Sequence, residues 1–220
     1  MADLVSWSGG KDSCLAFWRA RQAGSDIRLL VTAMDEDGTR SRSHGVPPAL
    51  IRAQADALGI PLRFYETTWA TYEEKFVQLL REAHANGIRG AIFGDIDLEP
   101  HREWEEKVCA RAGLAPSLPL WGEPRRALVD EFLAAGFKAV VVCVNGKYLG
   151  PEWCGREFDA AFLAELPAGV DACGENGEFH TFVYDGPAFR QPVQMARGPI
   201  QKWTAPPEMG SWTYWFQSWN

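Results

Sequence analysis

The stretch 4–13 constrains this chain more than any other. Leu4-Val5-Ser6-Trp7 is a short β-prone run that passes directly into Ser8-Gly9-Gly10-Lys11-Asp12-Ser13. From residue 13 to 23 the apolar residues (Leu15, Phe17, Trp18) take helical spacing, up to a stop at Gly24. A strand that leaves through a helix returns to its sheet as a parallel neighbour, because parallel strands need a crossover and the helix supplies it. The alternation continues. Residues 27–33, 62–66 and 90–93 read as strands, and 47–58 and 72–86 as helices closed by Gly59 and Gly87. The run 27–33 is nearly all apolar, as a strand buried on both faces should be. The pattern predicts an α/β chain with a parallel sheet and helices on both faces.

Beyond Trp121 the texture changes. Residues 125–135 read as a helix, 139–144 as a strand, 158–166 as a short helix, 174–177 as a turn and 179–184 as another strand. The boundary is set at Gly122-Glu123-Pro124, giving units 1–121 and 122–220, the second a smaller α+β unit. The Pro- and Trp-rich tail from Gly198 is assigned no regular structure as a whole. Within it, 212–219 is read as a β segment packed on the body, with a homodimer contact or a lid over substrate as alternatives.

The 220 residues are 46% hydrophobic and 23% charged, enough to bury a core without staples. Five cysteines (14, 109, 143, 154, 173) with no CxxC pair argue against a disulfide framework and a zinc knuckle. They are read as small buried hydrophobes. The net charge of −7, with no Lys/Arg stripe, argues against an extended nucleic-acid footprint. No apolar run is long enough to span a membrane, and the first residues lack signal-peptide character, so the cytoplasm is the expected compartment.

The opening loop has the chemistry of a phosphate site. Gly9 and Gly10 let backbone approach an anion, and the next helix presents unsatisfied N–H groups with the positive end of its dipole. Ser8 and Ser13 add hydroxyls and Lys11 a compact charge. The Walker pattern fails, because Val5 and Asp12 stand where it needs Gly and Ser/Thr, and the dinucleotide fingerprint lacks its third glycine. Asp12 beside polyphosphate calls for a cation, so it is assigned to Mg²⁺ or to capping backbone donors.

A second loaded segment is Asp171-Ala172-Cys173-Gly174-Glu175-Asn176-Gly177-Glu178-Phe179-His180-Thr181. On a strand, Glu178, His180 and Phe182 would share one face, placing a carboxylate and an imidazole side by side for acid–base work. A solvated hairpin edge is the plain alternative. His44, in a loop, and Arg102, at a helix start after Pro100, are further substrate-contact candidates. Arg40 and Arg42 suit phosphate or carboxylate, or are simply solvated.

Ser8 to Ser13 resembles the PP-loop of the N-type ATP pyrophosphatases, which cleave ATP between the α and β phosphates. Together with His44-Gly45-Val46, Gly94-Asp95-Ile96, His101-Arg102, Pro119-Leu120-Trp121, Gly136-Phe137-Lys138-Ala139 and Glu175-Asn176-Gly177-Glu178, in this order, it is similar to the diphthine–ammonia ligase family over roughly residues 2–190. The resemblance implies a nucleotide-binding unit of the adenine nucleotide alpha hydrolase-like (HUP, PP-loop) type and a smaller substrate unit. It implies ATP and Mg²⁺, with ammonia displacing AMP from an activated carboxylate. Ser8, Gly9, Gly10, Lys11, Asp12 and Ser13 would hold phosphates, Ala33 and Met34 would border adenine, and Gly94 and Asp95 would lie by the nucleotide. Lys11, Asp12, Glu178 and His180 would be catalytic. His44, Arg102, Glu175, Asn176, Glu178, His180 and Thr181 would face a small-molecule or protein-borne carboxylate. The family pattern Glu-Gly-Gly-Glu-(Tyr/Phe)-Glu-(Thr/Ser) departs here at Asn176 and His180, so the implied acceptor differs from diphthine. A cobamide-salvage enzyme of the same family, a tRNA-modifying PP-loop enzyme and a non-catalytic nucleotide-binding regulator are the other readings.

Overall fold

A computed structural model describes residues 1–205 and 212–219. Five parallel strands form one sheet in the order β3-β2-β1-β4-β5: β1 (Ala2–Ser6), β2 (Asp26–Met34), β3 (Leu62–Glu66), β4 (Gly90–Ile92) and β5 (Ala115–Ser117). The crossovers are α1 (Lys11–Gln22), α2 (Pro48–Leu58), α3 (Tyr72–Ala85) and α4 (Glu99–Ala112). Successive residues of the central strands enter opposite cores. Leu4, Val31 and Ala91 pack with α3 and α4, while Val5, Leu30 and Ile92 pack with α1 and α2. This double burial explains the unbroken apolar runs. Gly59 ends α2 with φ +70°, the left-handed cap that glycine tolerates best.

After α5 (Arg125–Ala134) the chain builds a second, antiparallel sheet. It contains β6 (Lys138–Asn145), β7 (Phe179–Asp185), β8 (Arg197–Thr204) and β9 (Thr213–Trp219), in the order β7-β6-β9-β8, with α6 (Ala160–Glu165) between β6 and β7. The core on the α1/α2 side runs on without a break into this sheet, through Val140, Val142, Phe179 and Phe182.

One expectation needs correction. The tail from Gly198 is not irregular throughout: 198–204 belongs to β8, while 213–219 is β9, paired to β6 and β8, in agreement with the β reading of 212–219. The β character of β8 was hidden by Pro, by charge, and by exposure along nearly its whole length. Residues 206–211 and 220 of that tail lie outside the described residues. The short edge strand β5 had no sequence signal, since its three residues are exposed and one is proline.

Candidate active site

The glycine loop leaves the carboxyl end of β1 and is fastened from both sheets. Gly9 has φ +80°, and its carbonyl accepts from Gln54 Nε2 (2.9 Å) and from the Val183 amide of β7 (2.9 Å). β7 is an edge strand of its sheet, so the loop occupies hydrogen-bonding groups that an edge would otherwise leave open. Ser8 Oγ meets Ser13 Oγ at 3.0 Å, and Ser13 Oγ donates to the Gly10 carbonyl at 3.1 Å. Gly10 is the N-cap of α1 and contributes no side-chain cap. The Lys11 amide donates to Thr181 Oγ1 (3.0 Å), and the first turn of α1 opens onto a cleft of about 430 Å³. That is the geometry in which a helix N-terminus accepts an anion.

Charges of both signs converge on this cleft. Lys11 Nζ, itself buried, lies 2.7 Å from Asp12 Oδ2. Burial pulls the Lys11 pKa down, but Asp12, Cys173 and Glu175 outweigh it, and the ammonium is held above its ordinary value. Asp95 follows β4, the carboxyl-end position where open parallel sheets collect ligands. It receives His101 Nδ1 at 2.7 Å, which raises the His101 pKa. Behind it Glu105 is buried, and burial followed by the Asp95 contact pushes its carboxyl up to about 11. Burial, then the charge of Asp12, pushes Glu175 up to about 7. The rings of His44 and His180, which also line the cleft, lie 4.5 Å apart at a 38° tilt. Burial, then Lys11, holds His180 down at about 4, and His44 is also well below its usual range, so both are neutral near pH 7.

Among the sequence candidates, Ser8, Lys11, Asp12, Ser13, His44, Gly94, Asp95, Glu175, His180 and Thr181 line the cleft together. Gly9 and Gly10 shape it from behind. Ala33 borders a smaller adjoining cavity of about 110 Å³, while Met34 is buried. Three candidates sit otherwise. Glu178 does not share a strand face with His180. It precedes β7, is buried, and its carboxylate accepts from the Asp171 amide (3.1 Å), the Asn176 amide (2.9 Å) and Asn176 Nδ2 (2.9 Å). Glu178 and Asn176 therefore hold the 171–178 loop in shape. Arg102 points away from the cleft, pairing with Glu106 at 2.9 Å and stacking 5.3 Å from the Trp121 ring; the neighbouring His101 faces in.

Other contributors were not picked out beforehand. Arg125 ties Asp97 (2.7 Å) to Asp171 (2.6 Å) and so joins the loop after Asp95 to the loop bearing Glu175. Tyr72 and Cys173 also line the cleft. Gln54, wholly buried, had a legible signal: it is a lone polar residue on the apolar stripe Leu50, Ile51, Ala55, Leu58 of α2.

The raised Glu175 has a measurable consequence. Its folded pKa of about 7 exceeds the ordinary carboxyl value of 4.5, so the folded state binds its proton first. Stability from this group is gained as pH falls through 7 and is lost above it. In the ligand-free protein, Glu175→Gln is expected to raise Tm by about 2–4 °C near pH 8, and by much less near pH 5.5. Thermal melts at the two pH values check this, and equal shifts at both would count against it.

Comparison with known proteins bears on most of the chain. Residues 1–116 match the family model for the diphthamide synthase N-terminal domain, and 124–209 match that for its C-terminal domain. A diphthine–ammonia ligase of Danio rerio is 31% identical over 218 residues, covering 84% of this chain and 83% of that protein. The enzymes of that name from Rattus norvegicus (28%) and Homo sapiens (27%) each align over 84% of this chain and 79% of their own length.

Proposed function

From the premise that the chain belongs to the diphthamide synthase family, we propose that it is an ATP-dependent ligase that activates an acceptor carboxylate as its adenylate and replaces AMP with ammonia. Carboxylate, ATP and ammonia enter; amide, AMP and pyrophosphate leave, and one carboxylate oxygen departs on AMP. The observation that carries this reading is the convergence of the α1 N-terminus, Lys11, three carboxylates and two neutral imidazoles on one cleft. Bound ATP supplies the adenylyl group, and Mg²⁺ the positive charge its phosphates need. The residues suit both. The charge of Asp95 opposes ionisation of Asp12, and both oppose ionisation of Glu175, so negative charge is concentrated where a cation would relieve it. Among the described residues no group of three His, Cys, Asp or Glu side chains is set to cage a metal alone. That suits Mg²⁺, which is usually held by one or two carboxylates plus phosphates and water.

The chain's own groups divide the work. Amides at the start of α1, with Ser8 and Ser13, bind phosphate oxygens, and Lys11 stabilises charge that grows on the leaving pyrophosphate. His180, neutral and beside His44, orients the acceptor by hydrogen bonding, and the proton that the attacking nitrogen sheds leaves to solvent. A neutral imidazole where the family pattern carries a carboxylate supports an acceptor other than diphthine. In this reading residues 1–121 hold the nucleotide, and 122–220 help to hold the acceptor.

The test is the identity of the nucleotide product. With ATP, Mg²⁺, ammonium and a panel of carboxylates, AMP and pyrophosphate are expected in equal amounts, dependent on one of the acids. ADP as the sole nucleotide product would overturn the proposal.

A further inference from the structure

A second cavity, of about 340 Å³, opens on the far side of His180 from the nucleotide cleft. Its walls come from the loop after β2 and from the β8–β9 hairpin. Trp203 and Tyr214 are cross-strand partners with rings 5.8 Å apart, and Phe216 follows Tyr214 on the same face of β9. The Phe216 ring closes against Gly45, where a Cβ would lie 2.6 Å from Phe216 Cδ1; Gly45 also has φ +66°. Trp69, 64% exposed, and Trp203, 38% exposed, leave large aromatic surfaces without a covering partner among the described residues. Solvent-facing aromatics concentrated on one concavity mark a binding site more often than an inert surface.

The polar groups of this cavity are cationic on balance. Arg42 lies 4.3 Å from the Trp69 ring centroid, and its Nε is buried with no hydrogen-bond partner. Arg40 pairs with Asp35 at 3.1 Å, so two guanidiniums face one carboxylate. Aromatic walls alone would also suit a quaternary ammonium. The guanidiniums select against a cation and for an anion.

His180 and Ser43 line both cavities. The His180 ring lies 4.5 Å from that of His44, whose Nε2 lies 2.7 Å from where a Cβ on Gly10 would stand. The His180–His44 pair therefore lies between the aromatic cavity and the phosphate loop. Resting on the ligase reading, we propose that this cavity holds the body of the acceptor, a small anionic molecule with a flat apolar ring system, whose carboxylate passes His180 to reach the nucleotide. A volume of about 340 Å³, near the lower end of small-molecule sites (roughly 300–1,000 Å³), fits one or two fused rings. Offset stacking against Trp203 and Tyr214 supplies the preference for flat bodies.

Calorimetric titration of the full chain, in the presence of AMP, tests this with three probes: 2-naphthoate, propionate and tetramethylammonium. Naphthoate is expected to bind at least about tenfold more tightly than propionate, and tetramethylammonium not measurably. Trp203→Leu is expected to remove most of that preference and Trp203→Phe to retain it, with ATP affinity reporting an intact fold. Naphthoate binding no tighter than propionate, or undisturbed by Trp203→Leu, would overturn the assignment, as would preference for the cation. Binding is read without turnover, so the two readings fail separately. AMP formation on other acids without a naphthoate preference sinks the pocket alone. Naphthoate selectivity in a protein that makes only ADP sinks the ligase reading alone.

Discussion

Gly94→Ala is expected to lower kcat/KM for ATP by at least about 100-fold while the protein still folds. Gly94 follows β4 and packs against the first turn of α1. A Cβ there would stand 2.8 Å from both the Asp12 carbonyl carbon and the Ser13 amide nitrogen, and 3.1 Å from the Asp12 carbonyl oxygen. All three are backbone atoms, so no side chain can swing aside. The turn they belong to is also fixed from the other side, by Thr181 Oγ1 on the Lys11 amide and by Ser13 Oγ on the Gly10 carbonyl. The added methyl must therefore displace the helix start or β4 by several tenths of an ångström. Overpacking of this kind costs about 1–3 kcal/mol of stability. The larger loss is functional, since a misplacement near 1 Å in a positioned site costs about 10²-fold in rate. Steady-state AMP formation with a thermal melt of the same variant separates the two effects. A kcat/KM within about tenfold of the parent would mean that the α1 N-terminus does not position phosphate.

The parts of the molecule that were legible in advance are those fixed by local chemistry. Ser8 to Ser13 could be read because tight turns and helix starts are made by the residues that form them. β1, β2 and β4 could be read because burial on both faces leaves a continuous apolar run, and α2 because Gly59 stops it. What escaped depends on partners distant in sequence. β8 is a strand because it pairs with β9, and a strand with one covered edge and two wet faces carries no period-2 signal. In the site, residue types pointed to the right segment but not always to the right side chain. Glu178 and Glu175 are equally acidic in sequence. Only the loop geometry spends Glu178 on the amides of Asp171 and Asn176 and leaves Glu175 facing Lys11 and Asp12. Similarly, one helical step of 100° separates His101, which meets Asp95, from Arg102, which lies over Trp121. Arg125 was out of reach altogether, because its partners Asp97 and Asp171 lie 28 and 46 residues away.

The residue whose loss should destabilise the protein most is outside the cleft. Gln54 sits in the middle of α2, fully buried, and its amide meets three separate segments. Oε1 accepts from Trp7 Nε1 at 3.0 Å, while Nε2 donates to the Gly9 carbonyl at 2.9 Å and to the Val183 carbonyl at 2.6 Å. It joins the end of β1, the phosphate loop and β7, the three pieces whose relative position defines the site. Gln54→Leu keeps most of the volume and removes every one of these bonds. Gly9 keeps its bond from the Val183 amide, but Trp7 Nε1 and the Val183 carbonyl are orphaned in a dry interior. Each orphan costs about 1–3 kcal/mol, so a loss of about 3–5 kcal/mol is expected, seen as a Tm lower by roughly 10 °C. Gln54→Glu should be no milder. A carboxylate can still accept from Trp7, but it turns an acceptor oxygen toward the Gly9 and Val183 carbonyls, or must be protonated to avoid doing so. The coupling can be isolated with Trp7→Phe. If the bridge acts as a unit, Gln54→Leu should cost less in the Trp7→Phe background, by about 1 kcal/mol, because the indole N–H it orphans is already gone. Strict additivity of the two substitutions, or a Gln54→Leu Tm within about 2 °C of the parent, would show that packing of α2, and not this amide, holds the phosphate loop against the second sheet.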